Sequence, residues 1–588
     1  MMTGVIQVTS IHPILIHPGI ILVISGFIAM AGPKILRKIM LVLGPLLAFL
    51  STINLHVGMD VDVAFVYGYR LHYLYVDQLS FVFTLAFAIM AVVGGIYACH
   101  NENRMEALSC LSYCGSAIGV ALAKDWLTLI FFWEALAITS LFLIWCRKTP
   151  ESRRAGFRYL LVHMFGGNLL LAGIFLKVSS GEWFITNLTA GPHDTAFWLI
   201  LIGVLTNTAC PPLNAWISDA YPQGTLTGTI FLSSFTTKTA VYALIRIFSG
   251  TEILMGLGVL MALYGACYAV MENDMRKLLS FHIISQVGFM VAGAGVGSNM
   301  ALDGATAHAF SDILFKSLLF MCVSIIIYST GIKYINQLGG MAKKMPIVAI
   351  CFFIGAFSIS GVPFFNGFIS KNMTVAASLE AEIHEVFTLL EVASIGTFLS
   401  ITLKMGYFIF LCPYDDIKIE RSAPKNMYAG MILGAVLCTM YGCIPDYLYR
   451  HLPYEVTYAP YAPAHVLQFM QMVIVAILPF MMYLSKMEPH TALSLDTDWF
   501  YRKLIASMVS GASALFCSLC SALGHAWELL YLAAMGLSAN PMELLDARPF
   551  RKRKAYDPEN YRTAIADPMM ITLTILMVAI SYLLATIT

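Results

Sequence analysis

Long apolar runs separated by short polar loops make up most of this chain. Runs close to the length of about 20 residues that crosses a bilayer as a helix recur from one end to the other. Their spacing predicts about sixteen spanning segments, and hence an all-α, polytopic membrane protein. The segments cover roughly residues 14–31, 39–55, 77–98, 107–123, 125–146, 159–178, 195–216, 226–249, 252–272, 278–297, 305–329, 345–366, 386–411, 427–446, 464–485 and 569–587.

One stretch near the C-terminus departs from this pattern. Residues 499–537 are moderately apolar, but Arg502, Lys503, His525 and Glu528 interrupt the run. Charged side chains in the middle of a bilayer are costly, whereas a helix that lies at the bilayer surface keeps them in water. We therefore predict a lateral helix here, which lies along the membrane or along a partner protein.

The composition excludes several classes of protein. Of the 588 residues, 59% are hydrophobic and 12% are charged, about half the charged fraction of an ordinary soluble domain. The 35 basic and 34 acidic residues leave a net charge of +1, so no polyanionic partner such as a nucleic acid is expected. A disordered chain and a soluble enzyme of ordinary composition are excluded as well.

Motifs for nucleotide, metal or electron-carrier binding are missing from the sequence. It has no Gly-rich dinucleotide fingerprint, phosphate-binding loop, metal-ligand quartet or iron–sulfur spacing. The 13 cysteines are scattered, and the CxxC pair Cys517 and Cys520 has no second pair to complete a metal site. We expect no cofactor, metal or redox centre in this chain. Any uphill transport then needs a second ion gradient or a partner protein.

The distribution of Lys and Arg predicts how the chain is oriented in the membrane. When the loop after the first segment is placed inside and the loops alternate from there, 26 of the 35 basic residues fall inside and five outside. This asymmetry is what the positive-inside rule requires. It places both termini on the outer face of the cell's inner membrane.

Two segments contain sequence that breaks a helix at membrane depth. The first break, 206–216, holds two consecutive prolines, and the second, 360–368, holds a Gly-Val-Pro turn. Backbone groups freed at this depth need protein or cavity water as partners. The breaks lie five segments apart, so two inverted five-helix repeats each have a break in their fourth helix. Two unrelated proline kinks are the alternative.

The predicted repeats divide the chain into four parts. Three transmembrane helices precede the first repeat, and the C-terminal helices with the lateral stretch and the last span follow the second. The parts are residues 1–106, 107–249, 252–412 and 413–588.

Charged residues inside the predicted spans are the first sign of function. Four lysines, Lys238, Lys316, Lys371 and Lys404, lie within apolar segments, as does Glu134 in the fifth. A charge at the centre of a bilayer costs at least about 2.5–3.5 kcal/mol on the most lenient scale. A chain of titratable groups that carries ions through the protein interior would account for all five. A lysine near a helix end, such as Lys404, has the alternative of reaching the interface.

The eleventh segment carries the most specific local pattern. His308, Asp312 and Lys316 follow one another at intervals of four residues, so they share one face of an otherwise apolar helix. An imidazole, a carboxylate and an amine within reach of one another can pass a proton in short steps. A polar seam that only holds helices together is the alternative. We interpret His163, early in the sixth segment, as a structural histidine.

At these motifs the chain resembles the antiporter-like, proton-translocating subunits of respiratory complex I, membrane-bound hydrogenases and Mrp-type sodium/proton antiporters. The resemblance covers about residues 77–410 and keeps the order and spacing of the family's motifs. The run 238–246 looks most like the D-type component of the Mrp antiporters, whereas the tail resembles the largest antiporter-like component of complex I. The matching stretches are 132–134, 212–220, 238–246, 274–289, 308–320 and 361–371.

The resemblance implies a role for each buried group. Glu134 matches the glutamate of the family's fifth helix, which pairs with a lysine on helix 7. Lys238 matches the lysine of helix 8, and His308 and Lys316 match the central relay. Lys371 matches the lysine of helix 12, which passes protons to the far side of the membrane.

Two positions depart from the family pattern. Asn207 stands where the family has the lysine of helix 7, and Asp312 stands where it has a second relay histidine. An asparagine cannot take up a proton at physiological pH, so the family's glutamate–lysine pair looks broken. Either Lys238 pairs with Glu134 instead, or this half of the protein no longer pumps.

We therefore expect a membrane subunit of a larger complex that carries protons, alone or in exchange for sodium. It would be a translocase part of an NADH:quinone oxidoreductase-like complex and would contact other membrane subunits and lipid. Two alternatives stay open: a structural or anchoring subunit of a hydrogenase or quinone oxidoreductase, and a proton-energised partner of an inorganic-carbon uptake system. The predicted path comprises Glu134, Lys238, His308, Asp312, Lys316 and Lys371, with Asn207 and Lys404 as further candidates.

Overall fold

The computed structural model describes residues 17–65, 68–413, 417–486, 488–490, 496–497, 499–539 and 566–587. The chain divides into two units, Met1–Asp498 and Trp499–Thr588. The first three residues of the predicted first span lie outside the described residues. Helices dominate both units, which confirms the all-α prediction.

Three helices and a short hairpin form the N-terminal part. The elements are α1 (Pro18–Ala31), α2 (Lys34–Ile53), β1 (Asp60–Ala64), β2 (Arg70–Tyr75) and α3 (Gln78–Ala98). β1 and β2 pair antiparallel, with a register shift between Val61 and Asp62. This hairpin lies in a loop between two predicted spans, and the apolar periodicity of the sequence did not reveal it.

The middle of the chain is a series of helices in two successive parts. The first part comprises α4 (Arg104–Leu122), α5 (Trp126–Trp145), α6 (Pro150–Ser179), α7 (Thr195–Asn207), α8 (Ala215–Ala220), α9 (Gly228–Leu232) and α10 (Thr236–Phe248). The second part comprises α11 (Ile253–Met271), α12 (Met275–Val296), α13 (Asn299–Thr330), α14 (Met341–Lys344), α15 (Pro346–Ser360), α16 (Asn366–Glu380) and α17 (His384–Thr397). The last of these continues as a π-helical segment, Phe398–Leu411.

The C-terminal region supplies the remaining helices. The first unit ends with α18 (Lys425–Cys443), α19 (Asp446–Tyr449) and α20 (Pro463–Met482). The second unit comprises a π-helical turn, Phe500–Ile505, followed by α21 (Ala506–Ala539) and α22 (Ala566–Ile587).

Helix length and composition agree with the predicted spans. Twelve helices in the described part of the chain are long and apolar enough to cross a membrane. Eleven coincide with predicted spans, and the twelfth, Arg502–Met535, falls in the stretch with the predicted lateral helix. A helix of these 34 residues is about 50 Å long, well beyond the hydrocarbon core of about 30 Å. Its lateral orientation stays a prediction.

Both predicted breaks are present. α7 ends at Asn207 and α8 begins only at Ala215, so the stretch with the two prolines is not helical. α15 ends at Ser360 and α16 begins at Asn366. Gly361 ends α15 with a φ of 72°, a left-handed conformation that glycine adopts without the steric cost of a Cβ.

The two middle parts show the same order of features. Asp125 caps the N-terminus of α5 and forms an isolated antiparallel bridge with Phe184. Asp274 caps α12 and forms the same kind of bridge with Tyr334. The helices that follow, α6 and α13, have 30 and 32 residues, and the next apolar helix in each part ends at a break. This order supports the two predicted repeats, whose inverted orientation stays a prediction.

Contacts between loops agree with the predicted alternation of the spans. Arg246 forms a bidentate ion pair with Asp77, at 2.5 and 2.7 Å, between two segment ends that are both predicted to lie outside. Arg276 donates a hydrogen bond to the carbonyl of Gly224 at 2.8 Å, between two loops that are both predicted to lie inside. These bonds tie loops of one predicted face to each other.

Helices α11 and α12 pack with their backbones in contact. A Cβ added at Gly258 would lie 2.6 Å from the backbone oxygen of Gly288, and one added at Gly288 would lie 2.5 Å from that of Gly258. Only residues without a side chain allow helices to approach so closely. The two glycines therefore allow the close approach of α11 and α12 at this point.

Gly258→Leu is expected to separate α11 from α12 and to destabilise the protein by about 1–3 kcal/mol, because overpacked interiors must shift backbone. The matched control is Gly256→Leu on the same helix, where no atom lies within 4 Å of an added Cβ. Thermal unfolding of the purified protein in detergent measures both variants. Equal melting temperatures would contradict the backbone contact.

Candidate functional site

A third break, which the sequence pattern did not reveal, positions the first buried lysine. The predicted span 226–249 is interrupted between α9 and α10. The hydroxyl of Tyr113 on α4 accepts a hydrogen bond from the backbone N–H of Thr236 at 2.9 Å. Lys238 Nζ, in the first turn of α10, donates to the carbonyl of Ser233 at 2.9 Å. The predicted span therefore contains a break that the sequence pattern did not predict, and side chains satisfy the backbone groups that the break frees.

An ion pair joins the two middle parts of the chain. Lys238 Nζ lies 2.5 Å from Oδ2 of Asp312 on α13, and both side chains are fully buried. The other carboxylate oxygen, Asp312 Oδ1, lies 3.9 Å from Nζ of Lys316, one turn further along α13. Asp312 therefore stands between two amines. This geometry corrects one option from the sequence, since Lys238 pairs with Asp312 and not with Glu134.

The polar face of α13 continues toward the second predicted break. His308 lies one turn before Asp312, and its Nδ1 lies 3.3 Å from the hydroxyl oxygen of Ser370 on α16. Lys371, the next residue on α16, donates from Nζ to the carbonyl of Ile359 at 3.5 Å, near the end of α15. The groups predicted on α13 and α16 therefore meet at the gap between α15 and α16.

We call Lys238, His308, Asp312, Lys316 and Lys371 the central cluster. Its three amines outnumber the carboxylate of Asp312. The side chains of Lys238, Lys316 and Lys371 are at most 1% exposed, and Asp312 supplies the carboxylate between the first two. Lys316 Nζ has no hydrogen-bond partner among the described residues and lies 5.9 Å from the centre of the Phe315 ring. Charges in a low-dielectric interior act on one another strongly. The protonation state of one group therefore affects the others, as in a coupled titration.

Glu134 and Asn207 do not join the cluster. Glu134 is half-buried on α5, and its carboxylate leaves no room for a Cβ at Gly167 of α6. Within the described part of the chain it forms neither an ion pair nor a hydrogen bond. Asn207 is 1% exposed at the end of α7, and its Oδ1 has no hydrogen-bond partner among the described residues. The first middle part thus has no glutamate–lysine pair of the kind that the resemblance implied.

Two further titratable side chains lie on the α12 side of the cluster. Lys404 Nζ donates to the carbonyls of Val270 and Glu272, both at 2.6 Å. His282 on α12, which the sequence motifs did not single out, is fully buried, and its Nε2 lies 2.7 Å from Oγ of Ser400. The available signal was an ionisable residue inside an apolar span, the rule that identified the lysines.

The chemistry available to this cluster is the uptake and release of protons. Amine, imidazole and carboxylate groups each exist in a protonated and a deprotonated form. Among the residues that the structure describes, no group of three or more His, Cys, Asp or Glu side chains is arranged to hold a metal ion.

The site lies within a segment that matches a known family. Residues 123–400 match the family described as NADH:quinone oxidoreductase/Mrp antiporter, TM. The match covers 278 of the 588 residues. The matched segment holds every residue of the predicted path, and Lys404 lies just beyond it. The resemblance seen in the motifs is thereby confirmed.

Two relatives and one solved structure are similar to this chain. An uncharacterized protein of Methanocaldococcus jannaschii is 29% identical over 62% of this chain and 80% of its own length. The A-type component of the Na(+)/H(+) antiporter of Alkalihalophilus pseudofirmus is 28% identical over 64% of this chain and 52% of its own length, so this chain spans about half of it. A chain in the Mrp complex from Dietzia sp. DQ12-45-1b shares the fold with a TM-score of 0.72 and 23% identity, over 96% of this chain and 65% of that one.

Asp312→Asn is expected to destabilise the protein by about 3–5 kcal/mol, because it leaves the amine of Lys238 buried without a counter-charge. The double variant Lys238→Met with Asp312→Leu replaces both charges by apolar side chains and is expected to lose less stability. Thermal unfolding of the purified protein in detergent compares them. A double variant that melts below Asp312→Asn would show that the pair does not compensate the two charges.

Proposed function

We propose that this chain is a proton-translocating membrane subunit of a multi-subunit complex. The observation that carries the proposal is the buried Lys238–Asp312 ion pair with Lys316 beside it, because groups this costly to bury are kept in membranes for ion transfer. The matched family is one of antiporters and quinone oxidoreductases, which supports the same interpretation. The proposed path runs through Lys238, Asp312, Lys316, His308 and Lys371. Glu134 on α5 lies apart from this cluster, and its part in the path stays a prediction.

The proposed mechanism is a change of partner at Asp312. Its two carboxylate oxygens face different amines, Lys238 at 2.5 Å and Lys316 at 3.9 Å. When Lys238 loses its proton, its attraction for the carboxylate falls, and the carboxylate is drawn toward Lys316. A change of charge on Lys238, in the first middle part, therefore alters the electrostatic interaction at Lys316, in the second, without a large movement of helices.

The partners follow from the named relatives. One relative is a component of a sodium/proton antiporter, and the matched solved structure is a complex. We therefore propose that other membrane subunits contact this chain in the cell's inner membrane and that sodium is exchanged for protons. The antiporter relative from Alkalihalophilus pseudofirmus is of the A type, so the likeness of residues 238–246 to the D-type component stays a prediction. The outer location of both termini is likewise part of the proposal.

A structural or anchoring role is the second candidate function. Asn207 favours it, because an amide cannot replace the lysine that the resemblance places there. The lack of a partner for Glu134 among the described residues points the same way. The buried amines of Lys316 and Lys371 argue against it, since a scaffold gains nothing from amines at this depth.

Lys316→Ala is expected to lower ion exchange at least about tenfold, because it removes the central amine of the path. The assay uses everted membrane vesicles that hold the complete complex, in which added sodium dissipates a pH gradient that a dye reports. Lys177→Ala is the matched control, since Lys177 is buried but lies near Glu182 and Asp194 outside the path. Wild-type rates for Lys316→Ala in an assembled complex would contradict the proposal and favour the anchoring role.

Asn207→Lys is expected to raise the exchange rate severalfold if the first middle part is a weakened path. The variant restores the amine that the resemblance places at the end of α7. Asn207→Ala changes the same position without adding an amine and is expected to bring no gain. The same vesicle assay compares the three proteins, and an equal rate for both variants would show that the missing lysine does not limit transport.

A further inference from the structure

His282 occupies a buried position beside the central cluster. It is fully buried on α12, and the hydroxyl of Ser400 holds its Nε2 at 2.7 Å. Its Nδ1 has no hydrogen-bond partner among the described residues. Ser400 lies four residues before Lys404 on the π-helical segment Phe398–Leu411. Helix α12 also packs against α13, which carries Lys316. An imidazole with one unbonded nitrogen thus lies on a helix that contacts both the segment of Lys404 and the helix of Lys316.

Lys404 connects this position to the loop between α11 and α12. Its Nζ donates to two carbonyls at the end of α11, those of Val270 and Glu272. The carboxylate of Glu272 pairs with Lys277 at 2.8 Å, and one third of the Lys277 side chain is exposed. Polar groups therefore lead from a partly exposed ion pair through Lys404 toward His282.

This route approaches the centre from the face opposite to the end of α16. The α11–α12 loop belongs to the predicted inside loops, whereas α16, which carries Lys371, runs toward a predicted outside loop. Along α12, His282 lies seven residues beyond Met275, the first residue of the helix, which is a rise of about 10 Å. The ring is therefore placed between the loop face and the middle of the membrane.

We propose that His282 is a proton-transfer residue that links Lys404 to Lys316 and supplies the second middle part with its own access path from the α11–α12 face. The inference rests on the proposed function. A proton passes from the ammonium of Lys404 to the imidazole, and from the resulting imidazolium to the amine of Lys316, directly or through water. N–H bonds form and break at each transfer, together with O–H bonds of water where a water molecule relays the proton, and Ser400 orients the ring.

His163 is another buried histidine of this protein, and the sequence predicts a structural role for it. Its Nδ1 lies 3.0 Å from the carbonyl of Tyr159, and its ring stacks on the Tyr159 ring with centres 3.9 Å apart. The ring of Trp216 closes the other side at 4.6 Å. Its contacts are thus a backbone hydrogen bond and two aromatic rings, and none of these partners is an amine. His163 is therefore the matched control for His282.

The test compares His282→Gln with His163→Gln in everted vesicles that hold the complete complex. Glutamine keeps a hydrogen-bonding side chain of similar length but cannot titrate. His282→Gln is expected to slow sodium-dependent loss of the pH gradient at least about tenfold, and His163→Gln is expected to keep the wild-type rate. Copurification of the other subunits checks assembly in both. A wild-type rate for His282→Gln while Lys316→Ala is inactive would overturn this inference and leave the proposed function intact.

Lys404→Met tests the same path without touching the histidine. It is expected to slow exchange as His282→Gln does, and the double variant is expected to be no slower than the slower single variant, because both residues serve one route. The ratio of the exchange rate in H2O to that in D2O is expected to be larger in each single variant than in the wild type. A merely structural defect does not change this ratio. Multiplied losses in the double variant with an unchanged isotope effect would overturn the inference. A wild-type rate for Lys316→Ala would remove the proposed function itself.

Discussion

The carboxylate of Asp312 lies between two amines in a part of the protein with no exposed surface. An isolated charge there costs several kcal/mol, and the attraction of a partner at 2.5 Å offsets part of this cost. Lys238 reaches the carboxylate from α10, whereas Asp312 and Lys316 lie on α13. The two middle parts of the chain must therefore pack so that α10 meets the centre of α13. Removing Asp312 would leave two buried amines without this carboxylate, and removing Lys238 would leave the carboxylate with Lys316 alone.

The breaks in the helices supply backbone carbonyls as partners for the buried amines. A continuous helix over residues 226–249 would satisfy its own carbonyls and leave none for an amine. With the helix interrupted before Thr236, the carbonyl of Ser233 accepts a hydrogen bond from Lys238. The gap between α15 and α16 likewise brings Lys371 to a carbonyl at the end of α15. Irregular backbone at this depth thus supplies the polar partners that buried amines need.

Much of this arrangement is readable from the sequence, for physical reasons that differ between elements. The breaks at 206–216 and 360–368 contain proline and glycine, whose effects on a helix are local. The break before Thr236 depends on Tyr113, more than 100 residues away, and no local signal marks it. Spacing places Asp312 and Lys316 on one face, but the partner of that face, Lys238, is a tertiary contact. His282 is a lone histidine in an apolar run, so its importance emerges only from its neighbours.

High-resolution cryo-electron microscopy of the intact complex tests the central claim most directly. Protons can move along the cluster only if water or side chains bridge its groups, and Lys316 Nζ has no hydrogen-bond partner among the described residues. The account predicts ordered waters on Lys316 Nζ that connect it to Asp312, and further waters toward His308 and Lys371. A dry, apolar environment around Lys316, with no solvent density between these groups, would contradict a proton path through this site.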